Sequence, residues 1–325
     1  MGTSPYLWAA FNGFVLLMLA LDLGVFHRKA HTVNVKEAIV WSIVWILLSF
    51  LFAAGVYHFR GTASAMEYIA GYLIEKALSV DNLFVFLVLF SYFKVPTVYQ
   101  HKVLFWGILG ALIMRATLIL VGAALIARFH WVLYVFGAFL VFTALKLAFQ
   151  KEGGVDPGNN PIVRMVRKVI PLTNEYSESR FFVKIDGRRV ATPLFLVLMT
   201  VEFTDLVFAL DSIPAIFAVT PDPFIIYTSN VFAILGLRSL YFALAGIMDL
   251  FHYLKIGLSV ILGFVGVKML IVDFYKIPIG ISLSVVGGLL AISILASILW
   301  PKKEPLTTPP PPIPLPPSPE ENRTP

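Results

Sequence analysis

Long apolar stretches alternate with short polar connections along most of the chain. A helix needs about 20 apolar residues to cross the roughly 30 Å hydrocarbon layer of a bilayer. The stretches that reach or approach this length predict about nine transmembrane helices and an all-α polytopic membrane protein. They cover residues 5–26, 35–57, 67–93, 102–127, 131–149, 193–218, 222–248, 256–273 and 277–299.

The composition supports this class and excludes several others. Of the 325 residues, 58% are hydrophobic and 14% are charged, whereas soluble domains carry about 25% charged residues. The chain has no cysteine, which excludes disulfides, thiolate metal sites and thiol redox chemistry by its own side chains. The six histidines fall at or near the ends of apolar stretches, so a buried metal site would have to use oxygen ligands. The lipid bilayer is therefore the expected surroundings of most of the chain.

The basic residues indicate an orientation. With the N-terminus outside, the connections on the inner side carry 17 lysines and arginines and those on the outer side carry 3. Short basic connections tend to stay in the cytoplasm, so we expect the N-terminus outside and the C-terminus inside. The same connections explain the net charge of +6, because they face an anionic leaflet. We expect no nucleic acid partner.

The connections divide the chain into six parts. The long connection contains a basic amphipathic stretch at 162–170, which predicts an interfacial helix, and Asp186-Gly187 between β-prone segments, which is typical of a hairpin. The end of the chain is rich in proline and is expected to be disordered. The parts are two N-terminal transmembrane helices (1–66), a first three-helix repeat (67–149), a cytoplasmic loop (150–192), a second three-helix repeat (193–273), a final transmembrane helix (274–300) and the tail (301–325).

Two acidic motifs suggest that the three-helix units are related. Each motif has two acids six residues apart, followed by a small polar residue, and an arginine lies within the next span. Three spans are an odd number, so the second unit would be inverted relative to the first, a plan that recurs in secondary transporters. The matching residues are Glu75, Asp81, Asn82 and Arg115 in the first unit, and Asp205, Asp211, Ser212 and Arg238 in the second.

The predicted membrane core contains more acids than bases. The acids are Glu75, Asp81, Glu202, Asp205 and Asp211, and the bases are Lys76, Arg115 and Arg238. A carboxylate in hydrocarbon costs roughly 2.5–3.5 kcal/mol, so an excess of acids implies cations, water or protons beside them. The excess of two negative charges suits one divalent cation or two protons and does not choose between them. Neutral oxygen ligands are available from Asn82, Ser212 and Asn230.

The spacing of the acids leaves their arrangement open. A six-residue step turns a straight helix by about 600°, so the two acids of a motif point about 120° apart. They serve two points along a pathway, or the helix is unwound between them; Pro214, which follows Asp211 closely, favours a kink or opening there. The three bases are interpreted as charge partners of the acids. Structural ion pairing of the arginines is the simpler alternative to contact with a substrate.

Several stretches resemble the TerC family of bacterial membrane proteins, most closely its Alx-like branch. They include GYLIEKALSVDN at 71–82, TSNVFAILGLR at 228–238, and the acidic stretch 202–216. The resemblance implies export of divalent manganese across the bacterial inner membrane, within a wider group of LysE-like exporters built from inverted three-span repeats. The family's acidic positions match Glu75, Asp81, Glu202, Asp205 and Asp211.

The oxygen ligands alone suit Mn²⁺, Ca²⁺ or Mg²⁺. Three functions therefore remain: a manganese exporter, a calcium or proton exchanger, and an accessory factor for protein insertion, metal loading or redox modulation. An enzyme is not expected, because no nucleophile, base and orienting group occur together. No cofactor is expected, and the sequence identifies no protein partner.

Overall fold

The computed structural model describes residues 5–21, 35–149, 171–173, 175–185, 188–244 and 253–300. These residues are mostly helical, as the sequence predicts. The helices are α1 (Pro5–Leu21), α2 (Val35–Tyr92), α3 (Thr97–Arg128), α4 (Val132–Phe149), α5 (Pro193–Phe217), α6 (Pro223–Leu235), α7 (Leu237–Leu244), α8 (Leu254–Leu270) and α9 (Ile279–Leu299), and the strands are β1 (Phe182–Ile185) and β2 (Arg188–Ala191).

Six helical stretches within the described residues are long and apolar enough to cross a membrane, with α6 and α7 counted together. The apolar helices α1 and α8 are shorter. The predicted total of nine crossings stays a prediction. The predicted interfacial helix at 162–170 and the tail at 301–325 lie outside the described residues, as do positions 245–248 of the seventh predicted span.

A single glycine divides α2 into two arms. Gly61 has φ 85° and ψ 177°, in contrast to the helical backbone on either side. Positive φ is accessible to glycine without the steric cost that a Cβ brings. The two predicted spans 35–57 and 67–93 fall on opposite sides of this break. Arg60, next to this break, anchors it to the beginning of α6: it pairs with Asp222 at 2.7 Å and lies over the Phe224 ring at 5.0 Å. We call this bend the corner of α2.

Helix continuity differs from the expectation at two places, although the seventh predicted span is found as one membrane-spanning stretch. The seventh predicted span is interrupted at Gly236, the C-cap that separates α6 from α7. Conversely, α5 does not open at Asp211, since it continues through Pro214 to Phe217. Pro214 lies in the last turn, so its missing N–H group leaves only the Leu210 carbonyl without a helical donor and only three helical residues follow it.

The helices pack across the two predicted three-helix units. Both arms of α2 pack on the α6–α7 region, α3 packs on α5, and α4 packs on α8. At the α4–α8 crossing the two backbones touch: a Cβ on Gly137 would lie 3.0 Å from the Gly266 carbonyl, and one on Gly266 would lie 2.9 Å from the Gly137 carbonyl. The first and second units are thus interleaved around one core.

The predicted hairpin is present at the expected position. β1 pairs with β2 in an antiparallel register that sets Phe182 opposite Ala191 and Lys184 opposite Arg189. The Asp186-Gly187 turn lies outside the described residues. The hairpin lies beside the beginning of α5, against which Phe182 stacks through Phe195 with ring centroids 4.6 Å apart.

The break in α2 gives a first prediction. Replacing Gly61 by alanine should lower the free energy of unfolding by about 1 kcal/mol, because a residue with a Cβ would have to adopt a positive φ there. Gly55→Ala is the matched control, since both glycines are in α2 and a Cβ added at either would have no atom within 4 Å. Thermal unfolding in detergent measures both. Equal midpoints for the two variants would contradict the proposed role of Gly61.

Candidate functional site

A buried arginine joins three helices at the centre of the structure. Arg115 of α3 donates from Nε and Nη2 to the two carboxylate oxygens of Asp205 in α5, at 3.1 and 2.9 Å, and from Nη1 to Glu75 in α2. The residues are only 1%, 4% and 0% exposed respectively. The two acids therefore share a single positive charge inside the bundle.

The pattern along α3 explains why Arg115 points inward. Gly107, Ala111, Arg115 and Ile119 are four residues apart and all are buried, so they lie along one face of the helix. The small residues at 107 and 111 allow α5 to approach, and the Val201 side chain lies 3.4 Å from the position of a Cβ on Gly107. The arginine is therefore held on the face that meets α2 and α5.

Two serines complete the hydrogen bonding around this cluster. Arg115 Nη1 lies 3.4 Å from Ser212 Oγ, and the Ser79 hydroxyl donates to Glu75 Oε1 at 3.4 Å. Glu75 Oε2 is buried and has no hydrogen-bond partner among the described residues. Because buried carboxylate oxygens normally accept hydrogen bonds, this atom is an available ligand in the cluster.

The two acids of the second motif point in different directions, as the six-residue spacing predicts for a straight helix. Asp205 faces Arg115, whereas Asp211 is half-buried and accepts a hydrogen bond from Thr143 of α4 at 3.0 Å. In the first motif, Glu75 faces the same arginine as Asp205. Asp81 lies in α2, and its side chain is outside the described part of the chain. The structure thus brings together the leading acids of the two motifs and separates Asp211 from them.

Lys76 corrects a prediction about charge pairing. It donates to the Ala233 carbonyl at 3.2 Å, near the end of α6, and no described carboxylate lies within ion-pair distance of it. Its Nζ is 2.9 Å from the position of a Cβ on Gly236. The helix break exposes carbonyl groups that an ammonium group can satisfy. Lys76 therefore caps the broken helix and forms no ion pair with a described carboxylate.

The remaining predicted residues surround the cluster at different depths. Asn230 of α6 is 1% exposed, and neither its Oδ1 nor its Nδ2 has a hydrogen-bond partner among the described residues. Asn82 and Arg238 are also buried. Glu202 is half-buried and lies against α3, where a Cβ on Gly110 would be 2.0 Å from its Oε1. Gly110 thus provides the space that Glu202 occupies.

A small cavity approaches Asp205 from the side of α7. Its volume is about 20 Å³, enough for one water molecule. Asp205 and Arg238 contribute its charged groups. Apolar side chains form most of the remaining wall, including Leu83, Phe86, Leu104, Ile108 and Leu237.

The described side chains form no group of three acids or histidines placed to hold a metal ion. Glu75 and Asp205 are the nearest approach to such a group, and the cation between them is the Arg115 guanidinium. Sequence reasoning did not identify Thr143 or Gly110 as neighbours of the acids. A hydroxyl residue in the apolar stretch 131–149 was the only signal for Thr143.

Comparison with known proteins establishes the class of the chain. The integral membrane protein TerC family matches residues 60–305, which contain the whole Arg115 cluster, and the chain belongs to this family. It is therefore a multi-pass integral membrane protein with relatives in bacteria.

Individual relatives match nearly the full chain. It is 56% identical to an uncharacterized membrane protein, STKORF319, of Myxococcus xanthus over 91% of this chain and 93% of the relative. It is 50% identical to the putative membrane-bound redox modulator Alx of Salmonella typhi, over 90% of this chain and 94% of the relative. An uncharacterized membrane protein of Rickettsia bellii is 42% identical over 90% of this chain and 97% of the relative. No solved structure matches the chain.

The contact between Glu202 and Gly110 gives a second prediction. Gly110→Ala should destabilise the protein by about 1 kcal/mol, because the new Cβ overlaps the Glu202 carboxylate and this side chain has to rotate away. Gly107→Ala on the same helix is the control, since its nearest neighbour is at the ordinary distance of 3.4 Å. Thermal unfolding should show a lower midpoint for the first variant only.

A second substitution separates this clash from a general effect on α3. Adding Glu202→Ala to Gly110→Ala removes the overlapping carboxylate and should recover most of the lost stability. A double variant as unstable as Gly110→Ala would show that the carboxylate is not the cause.

Proposed function

We propose that this chain is a secondary transporter that exports divalent manganese across the bacterial inner membrane. Acidic residues from two inverted three-helix repeats form its midplane cation site. Manganese as the substrate is taken from the resemblance to the TerC family, because oxygen ligands also suit calcium and magnesium. The observation that carries the proposal is the sharing of Arg115 by Glu75 and Asp205.

In this proposal the Arg115 guanidinium occupies the cation site when no substrate is bound. Removing a charge from a buried ion pair costs roughly 3–5 kcal/mol, so the two acids retain a cation when no substrate is bound. A divalent ion between them would receive oxygens from both carboxylates and from Ser212. Glu75 Oε2 is a buried oxygen that lacks a partner among the described residues, and it adds to this donor set. The conformation with Arg115 between the acids is then the substrate-free one.

Arg115 needs another carboxylate when the substrate replaces it, and we assign this role to Glu202. Arginine side chains on a helix lean toward its N-terminus. Glu202 lies against Gly110 of α3, and it is three residues from Asp205 on the same face of α5, so the guanidinium would shift by about 4.5 Å along α5. The move keeps Arg115 paired in both states and releases the two central acids for the metal ion.

The packing supports the inverted arrangement. In the proposed repeat, α5 corresponds to the C-terminal arm of α2, the pair α6–α7 to α3, and α8 to α4. The first helix of each unit packs on the second helix of the other unit, and the third helices pack on each other. This reciprocal pattern is the one expected from a pseudo-two-fold axis between the units. Nine crossings with basic inner connections would set the N-terminus outside and the C-terminus in the cytoplasm.

The name of several relatives offers a second candidate, a redox modulator in the membrane. The absence of cysteine from the whole chain excludes a thiol mechanism for it. An accessory role would also not explain why the buried acids are present, although ionisable residues inside a membrane are costly and usually have a function. Transport is the better explanation.

The deciding experiment measures manganese flux in liposomes that contain the purified protein, with internal pH recorded at the same time. Wild type should transport manganese, and Asp205→Asn should reduce flux to the level of empty liposomes. Glu178→Gln is the control, because it removes one carboxylate from an exposed loop position. A pH change linked to flux would identify a proton as the exchanged ion, and competition by calcium would test the calcium alternative.

Full flux through Asp205→Asn would disprove the site. No flux through wild type, with both proteins folded and inserted, would disprove transport and favour the accessory role.

A third prediction concerns the competition between Arg115 and the metal. Arg115→Leu should destabilise the metal-free protein by roughly 3–5 kcal/mol, because two buried carboxylates lose their cation. Added manganese should then raise its unfolding midpoint more than it raises that of wild type, since the competitor is gone. Thermal unfolding across a manganese titration measures both effects.

Arg60→Leu is the matched control for this experiment. It also breaks an arginine–aspartate pair, but at the corner of α2 and away from the Arg115 cluster. It should lose stability without gaining a larger manganese response. The same manganese response in both arginine variants would contradict the proposal that Arg115 competes with manganese for the cation site.

A further inference from the structure

The base of the β1–β2 hairpin is attached to three helices of the bundle. The Tyr176 hydroxyl donates to the Phe93 carbonyl after α2 at 2.7 Å. Lys102 of α3 donates to the Ser179 carbonyl and lies over the Phe181 ring at 4.8 Å. Burial raises the pKa of Tyr176, so its hydroxyl stays protonated and remains a donor. Together with the Phe182–Phe195 stack, these contacts fix the hairpin to the ends of α2, α3 and α5.

The outer part of the hairpin presents cations beside apolar side chains. Lys184, Arg188 and Arg189 are all exposed. Phe182 and Ile185 are 49% and 47% exposed. Lys184 and Arg189 are paired on one face of the ribbon, which Phe182 shares, and Ile185 and Arg188 are paired on the other face, so each face has an apolar side chain beside a cation. We call Phe182, Lys184, Ile185, Arg188 and Arg189 the hairpin patch.

The three cations of the hairpin patch have no counterion among the described side chains. Like charges directly opposite each other destabilise a strand pair, yet Lys184 and Arg189 occupy such positions. The nearby Arg180, in contrast, pairs with Glu178 at 3.5 Å. The one acid within 180–191 is Asp186, which lies outside the described residues. The arrangement therefore suits an external anion.

We propose that the hairpin patch binds anionic phospholipid headgroups at the surface of the membrane. Exposed aromatic and aliphatic side chains beside basic ones are typical of segments that lie in the interfacial layer. Each strand has four residues, a length of about 13 Å, so the patch stays close to the helix ends that carry its base. A protein or nucleic acid partner would explain the cations but gives no reason for the attachment to the ends of membrane helices.

This binding links the lipid surface to the helices that carry the buried cluster. The base of the hairpin joins the end of α2, the beginning of α3 and the beginning of α5. These helices hold Glu75, Arg115 and Asp205 respectively. The proposal does not depend on transport, so a binding measurement tests it separately.

The chain allows a site-specific probe because it contains no cysteine. Ile185→Cys introduces a single thiol, which is labelled with a polarity-sensitive fluorophore in the purified full-length protein. The protein is then placed in nanodiscs of pure phosphatidylcholine or of phosphatidylcholine mixed with phosphatidylglycerol. We expect a blue-shifted emission and protection from aqueous iodide only in the mixed nanodiscs. A label at Glu178→Cys, outside the patch, should respond equally in both.

Charge neutralisation identifies the groups responsible. Each of Lys184→Gln, Arg188→Gln and Arg189→Gln should raise the phosphatidylglycerol fraction needed for half-maximal protection, with binding weakened about fivefold per cation. The triple variant should behave in mixed nanodiscs as it does in pure phosphatidylcholine. Arg180→Gln is the matched control, because it removes a charge that already has a partner.

Two results would overturn the proposal. One is equal exposure of the label at position 185 in both lipid compositions, or a lipid response that survives the triple substitution. The other is protection that requires an added acidic protein or RNA and is independent of phosphatidylglycerol, which would assign the patch to a macromolecule.

Discussion

The structure depends on the neutralisation of Glu75 and Asp205 by Arg115 in a bundle that excludes water. Each of these charges alone would be costly at this depth, and each is contributed by a different helix. The cluster therefore restricts how α2, α3 and α5 are arranged, since a rotation of any one of them would leave a buried charge unpaired. It also leaves a net negative charge among the three groups. The pairing of two carboxylates with one arginine is the observation from which the proposed exchange of Arg115 for a divalent cation follows.

The sequence predicts the class of this protein and the identity of its polar core, because membrane thickness and the cost of buried charge act on composition and spacing. It places Glu75, Asp205 and Arg115 in spans, but it does not show which acid meets which base. That choice depends on the rotation of each helix about its axis, which is set by packing between helices. Lys76 illustrates the limit. As a base beside Glu75 it was expected to pair with an acid, yet the break at Gly236 supplies carbonyl groups that compete for it.

Helix breaks were the least predictable part of the fold. Pro214 is the strongest breaking signal in α5, yet it lies in the last turn and interrupts little. Gly61 lies in the connection between two predicted spans, whereas Gly236 lies inside one, and both mark discontinuities within the described helices. At both positions the surroundings require a glycine. Gly61 has a positive φ at the corner of α2, and Gly236 leaves room for the Lys76 and Trp45 side chains at the end of α6. Neither requirement is visible in the local sequence.

The contact between Gly137 and Gly266 has a consequence for motion. At this crossing α4 and α8 meet backbone to backbone, and neither glycine has a side chain that interlocks with the opposite helix. The Met269 and Leu270 side chains pack against Gly137, and the Val141 side chain packs against Gly266, so a change in the crossing angle would have to move them. A close crossing with side chains packed on both sides of it resists sliding of one helix along the other, so α4 and α8 are expected to move together as one rigid pair.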